Sequence, residues 1–147
     1  HTRSFHVTGV QTWALPIWKL IVDNSFAIGY PDHLIVSPLD GNTMFMAGAA
    51  ENPGTWQESH NANASIAISS DRGVTWRDAR KGLPADRRPN IEAMSIASYP
   101  GGFTLFAGDT DGVVFASEDG ARTWTKIVDS LAPVTKGRHY RSLQLAS

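Results

Sequence analysis

The sequence predicts an all-β chain assembled from repeated four-stranded sheets. Three observations carry this. Two short segments nearly duplicate one another: Ser69-Ser70-Asp71-Arg72-Gly73-Val74-Thr75-Trp76 and Ser117-Glu118-Asp119-Gly120-Ala121-Arg122-Thr123-Trp124, with their aspartates 48 residues apart. A repeat of that period marks an array of small units rather than one compact core. Upstream of each copy, short apolar–polar alternations are broken by Gly-, Pro- and Asp-containing turns, the pattern of short antiparallel strands. Finally, 13 Gly and 10% aromatic residues supply the tight turns and large plugs that such sheets need.

The duplicated segment has a physical reading. A serine-bearing strand end runs into Asp-x-Gly or Asp-Gly, where the carboxylate can hold nearby backbone N–H groups and glycine accepts positive φ. Thr75 or Thr123 re-enters a strand, and Trp76 or Trp124 is a large apolar plug. The glycine moves by one place in the second copy, where Ala121 stands in register with Gly73, so a slightly different turn is expected there. Asp71 and Asp119 are read as turn-makers, not catalytic carboxylates. These residues resemble the Asp-box, or BNR, repeat of sialidase-like and related β-propellers. The resemblance implies a partial β-propeller with Ser69, Asp71, Gly73, Thr75 and Trp76, and Ser117, Asp119, Gly120, Thr123 and Trp124, as two structural Asp boxes. In that family the box joins the third and fourth strands of a blade.

Alternation places the strands. In the first full blade they are expected at about 34–37, 43–48 and 65–69, with the fourth starting at Trp76. Pro38–Asn42 is a turn. In the second they are expected at about 93–98, 104–107, 113–117 and 124–127, with a turn at Tyr99–Gly102. The connection between the second and third strands is the short Asp109-Thr110-Asp111-Gly112 in one blade and the long 49–64 loop in the other. Trp18–Asp23 parallels Trp124–Asp129 and reads as a trailing fourth strand. Tyr140–Leu145 reads as one more leading strand.

The chain has 147 residues, fewer than the roughly four to eight four-stranded blades of a closed propeller require. It is therefore expected to be a fragment, with two complete blades plus flanking strands. Residues 7–17 resemble the translation of a sequencing adapter, with Trp13 in place of Cys. Residues 1–17 are accordingly read as non-native, and 18–147 as the propeller fragment.

Net charge is −1, which gives no electrostatic case for nucleic acid. No apolar run is long enough for a membrane span. Cysteine is absent, which removes disulfides and thiolate metal sites. Composition leaves cytoplasmic and secreted locations equally open. Asp109–Gly112 lacks the rest of a calcium loop and reads as an Asp-Gly hairpin. The basic run Arg77, Arg80, Lys81, Arg87 and Arg88, interrupted by Asp78 and Asp86, reads as a solvated connection. Asn63-Ala64-Ser65 fits the N-x-S glycosylation pattern, which has meaning only in a secretory context.

Topology puts the long loop and the connections into each leading strand on one face, opposite the boxes. Asp32, His33, Trp56, Glu58, His60, Lys136 and His139 fall there and form the expected binding face, since long loops on a rigid scaffold carry binding. His33, His60 and His139 could present imidazoles to a metal or a polar ligand, and Trp56 could stack on a sugar or an aromatic group. No metal and no cofactor is assigned. The resemblance implies that an active sialidase would carry an arginine cluster, a Tyr–Glu pair and an early Arg-Ile-Pro motif. That motif does not occur here. The expected role is a non-catalytic binding or scaffold module for a small-molecule, glycan or protein ligand. A sialidase-like glycoside hydrolase fragment lacking most catalytic residues, and a protein-docking propeller, are the alternatives.

Overall fold

The computed structural model describes residues 26–136. The fold is all-β in its architecture, with one short helix. Two four-stranded antiparallel sheets follow one another along the chain. The first contains β1 (Tyr30–Val36), β2 (Met44–Ala49), β3 (Ser65–Ser69) and β4 (Arg77–Asp78). The second contains β5 (Ile91–Tyr99), β6 (Gly102–Asp109), β7 (Val114–Ser117) and β8 (Thr125–Val128). Both are simple meanders, each strand pairing with the next in sequence. The trailing strand expected at 18–23, the leading strand expected at 140–145, the segment 1–17 and His139 lie outside the described residues.

The register fixes which turns share an end. Val36 lies opposite Met44, and Met44 opposite Ser69, the last residue of β3. The β1–β2 turn and the duplicated Ser69–Trp76 segment therefore share one end of the sheet. Tyr30 lies opposite Ala49, so the entry to β1 and the β2–β3 connection share the other. The second sheet repeats this: Ile96 faces Leu105, Leu105 faces Ser117, and Ile91 faces Asp109. Aligning the box serines makes Val36 equivalent to Ile96 and Pro31 to Ile91.

The strands were expected almost where they occur, with one systematic difference. β1 starts at Tyr30, not Leu34, and β5 at Ile91, not Ala93. In both, the pairing register slips by one residue near the start, between Pro31 and His33 and between Ile91 and Ala93. A bulge lets a strand carry poor β-formers such as Pro31 and Asp32 and continue past them.

The main core lies between the sheets. Phe45, Ala47, Ile66 and Ile68 of the first sheet pack with Met94, Phe103, Leu105, Phe115 and Trp124 of the second. Phe45 and Phe103 meet edge-on with centroids 5.9 Å apart. The first sheet is covered on its other face too, where Ile28, Met46 and Ala67 pack with Phe26 and Trp76. This is why all five residues of Ser65–Ser69 are buried: a strand covered on both faces loses its exposed alternation.

The 49–64 segment is not wholly loop. It contains helix α1 (Pro53–Ser59), capped by the Asn52 side chain on the Thr55 N–H at 3.3 Å and ended by His60 at φ 52°. Asn before Pro is a helix-start pattern. Trp56 faces inward from this helix and is 1% exposed. The expectation that Trp56 would stack on a sugar is overturned, because burying an indole in the core is its packing role.

Candidate functional site

The two box turns are built alike. Ser69 Oγ donates to Asp71 Oδ1 at 2.8 Å and accepts the Gly73 N–H at 2.8 Å. Asp71 then holds Thr75 twice, through the backbone N–H at 2.8 Å and the hydroxyl at 2.6 Å. In the second copy, Ser117 Oγ donates to Asp119 Oδ1 at 2.9 Å and accepts Ala121 N–H at 2.9 Å. Asp119 holds Thr123 through its N–H at 2.9 Å and hydroxyl at 2.6 Å. The expected difference between the turns does not occur. Arg72 and Gly73 have φ of 61° and 82°, and Gly120 and Ala121 have 72° and 62°. Two consecutive left-handed residues are needed, and the single glycine takes the second slot in one turn and the first in the other. Ala121 tolerates its slot at the strain cost of a non-glycine residue there.

Hydrogen bonds from Thr75 and then Ser69 pull the Asp71 carboxyl down to about 2. Burial pushes the Asp119 carboxyl up, but bonds from Thr123, Ser117 and Arg122 outweigh it and leave it at about 2 as well. A carboxylate held that low cannot act as a general acid near neutral pH. Depressed folded-state values mean that this contribution to stability is complete above about pH 4 and is lost as pH falls through about 2. Acid melts should therefore show a loss over that window that shrinks in a Thr75→Val, Thr123→Val double variant. An acid limb identical in both proteins would contradict this role.

Each box tryptophan plugs the segment that enters its own sheet. Trp124 is 3% exposed, donates its indole N–H to Ala79 O at 2.8 Å and its backbone N–H to Lys81 O at 2.8 Å. Trp76, half-buried, packs on Phe26 with centroids 5.4 Å apart and donates to Gly73 O at 3.1 Å.

The polar residues that converge lie at the opposite end, where β1 and β5 start side by side. Asp32 and Glu92 are the bulge residues of β1 and β5, so they occupy equivalent places. Bulges re-aim side chains, and both carboxylates are buried: the Asp32 side chain is 1% exposed and Glu92 is 0% exposed. The Asn90 amide donates to Asp32 Oδ2 at 2.8 Å, with Glu92 Oε1 at 3.5 Å from the same nitrogen. Lys136 closes the cluster. Its ammonium meets Asp32 Oδ1 at 3.0 Å and the Asp32 carbonyl, and its backbone N–H donates to Glu92 Oε2 at 3.0 Å. One residue thus ties the bulge acids of both sheets.

His33 follows the first bulge and reaches the second sheet. Its Nδ1 accepts the Met94 N–H at 2.7 Å. Burial, then the Lys136 charge, push the imidazole below its usual value, against the opposing pull of Asp32. This nitrogen is spent on the sheet-to-sheet bond, so His33 does not offer it to a ligand. A folded-state value below the ordinary 6.5 means that stability is complete above that pH and declines as pH falls below it. His33→Leu should cost about 1–3 kcal/mol by stranding the Met94 N–H, and should flatten the stability change between pH 7 and 5. Urea melts across that range check both, and an unchanged slope would refute the assignment.

Of the expected binding face, Asp32, His33 and Lys136 come together, Trp56 is withdrawn into the core, and Glu58 and His60 are exposed on α1 and its cap. Asn90 and Glu92 were missed as site residues. Glu92 follows Asn90-Ile91 at the head of an apolar strand, but only the cross-strand register reveals its match to Asp32. Within the basic run, Arg77, Lys81 and Arg88 are exposed as expected, while Arg80 and Arg87 are partly buried. Arg80 is half-buried and donates to Ala64 O and Pro84 O, both at 2.7 Å. Among the described residues, no group of three or more His, Cys, Asp or Glu is placed to hold a metal, and no helix is long and apolar enough to cross a membrane. No protein-family model matches the chain, and no curated protein matches it.

Proposed function

We propose that the chain is part of an Asp-box β-propeller, with each four-stranded sheet a blade, and that it serves as a non-catalytic binding or scaffold module. The observation that carries the reading is the pair of matching box circuits at one register position in two equivalent meanders. A second feature supports the array. Phe106, Val114 and Ala116 of the second sheet are only half-buried, yet they stand where Phe45, Ile66 and Ile68 of the first lie beneath a neighbouring sheet. A further sheet of the same kind would cover them.

Binding belongs at the end opposite the boxes, where the leading strands start and the longest connection lies. The glycosidase alternative asks for two carboxylates that meet a substrate. Asp32 and Glu92 share a donor, but both are buried and tied by Lys136, so they read as a brace between blades. Titration with a glycan panel including sialosides, and with zinc, tests this by amide shifts in the full chain. The reading expects shifts confined to the starts of β1 and β5, α1 and the β6–β7 turn, with no glycan cleaved. Shifts at the Asp71 and Asp119 turns, or hydrolysis, would overturn it. Silence throughout would leave the protein-docking alternative.

A further inference from the structure

A recess of about 150 Å³ lies between the β4–β5 connection and the β6–β7 turn. It opens at the same end of the sheets as Asp32 and Glu92. Leu83, Ile91, Val113 and Phe115 give it an apolar lining, and Asp109 and Asp111 also line it. Asp109 is 6% exposed. Its Oδ1 accepts the N–H groups of Asp111 at 3.0 Å and Val113 at 2.9 Å, and among the described residues no hydrogen bond reaches its Oδ2. That oxygen is not among the fully buried unpaired polar atoms of the described residues, so it stays within reach of a donor arriving from solvent. Two further charged side chains at the recess have partners of their own. Asp86 is paired with Arg88 at 2.6 Å, and both terminal nitrogens of Arg80 donate to backbone carbonyls. With Asp86 paired, the Asp109 and Asp111 carboxylates outnumber the one Arg80 guanidinium, whose charge its backbone bonds do not cancel, so the balance at the recess is negative.

We propose that this recess binds a primary ammonium or guanidinium group carried on a short apolar stem, with Asp109 Oδ2 as its counter-ion and Leu83, Ile91 and Phe115 against the stem. The volume is below the ~300 Å³ at which pockets for drug-sized ligands begin, so the occupant is one side chain or a small amine. Burial pushes the Asp109 carboxyl up, against the pull of the Val113 and Asp111 amides. A bound cation offsets that burial, and affinity falls on acidification as the carboxyl takes a proton. The inference deepens the proposed binding role, and it rests on the reading that this end of the sheets is the binding end.

The test is an amide-shift titration of the full chain with n-butylguanidinium and n-butylammonium, against n-butanol and butyrate at constant ionic strength. Saturable shifts at Ile91, Asp111 and Val113 are expected with the two cations alone. Asp109→Asn keeps an acceptor for the turn and should weaken binding about tenfold or more, roughly the 1.4 kcal/mol of one lost charge contact. Asp129→Asn, a remote control, should not. Capped Ala-Arg-Ala binding more tightly than butylguanidinium would assign the cation to a partner protein's side chain, and weaker binding would assign it to a free amine. Equal binding of butanol, no saturation with either cation, or full affinity in Asp109→Asn would overturn the proposal. If Asp109→Asn does not fold, the cation-over-butanol preference and its loss at acid pH decide alone. Cation binding with a silent glycan panel would support the recess and narrow the wider role to it; a responsive glycan panel with no cation binding would retire the recess alone.

Discussion

Trp124→Ala should destabilise the chain by about 3–5 kcal/mol. The indole is 3% exposed, sits within the main core and donates to Ala79 O in the connection that enters its own sheet. Truncation opens a cavity and strands that carbonyl. The backbone at this contact has no slack: a Cβ on Gly82, at φ +94°, would come within 2.1 Å of Trp124 O. Neighbouring chain cannot collapse into the space without disturbing that approach. The corresponding change at Trp76 should cost less, because that ring is half-buried. Urea melts of the two variants rank them, and a larger loss for Trp76→Ala would contradict the packing described.

Asp32→Ala should cost about 2–3 kcal/mol. Removing one partner from a buried ion pair leaves the other uncompensated, at about 3–5 kcal/mol when both are buried. Here the Lys136 side chain is 36% exposed against 1% for Asp32, so the freed ammonium can turn toward water and the penalty is reduced. The Asn90 amide also loses its better acceptor. Asp32→Asn, which retains an acceptor, should recover part of the loss. Thermal melts with both variants check this, and an Asp32→Ala protein as stable as the parent would show that the cluster does not brace the sheets.

Much of this architecture was legible in the sequence. The box motif states its own hydrogen bonds, because serine, aspartate and threonine at fixed offsets are the donors and acceptors the turn uses. Ser65–Ser69 was placed to the residue, since the alternation of Ile66 and Ile68 runs directly into the Ser69–Asp71 turn. What sequence could not show was pairing across strands. The match between Asp32 and Glu92 depends on two bulges, and nothing local to Pro31-Asp32-His33 or Ile91-Glu92-Ala93 announces them. Trp56 was misplaced for another reason. Asn52-Pro53 starts a helix inside the 49–64 connection, and its seven residues, about two turns, carry the indole from the rim into the core. The equivalence of Gly73 with Ala121 was misleading because the turn needs two left-handed residues and tolerates its one glycine in either slot.

The central claim is that two equivalent four-stranded sheets stack with β1 against β5 and the Ser-Asp-Thr turns at the far end. Sheet-to-sheet proton contacts in solution test it most directly, measured by nuclear Overhauser spectroscopy on the full chain. Stacking of this kind predicts contacts from the Trp124 indole N–H to Ala79, from the Met94 amide to the His33 ring, and between the Phe45 and Phe103 rings. Absence of the His33–Met94 and Phe45–Phe103 contacts, while the strand pairings within each sheet persist, would contradict it.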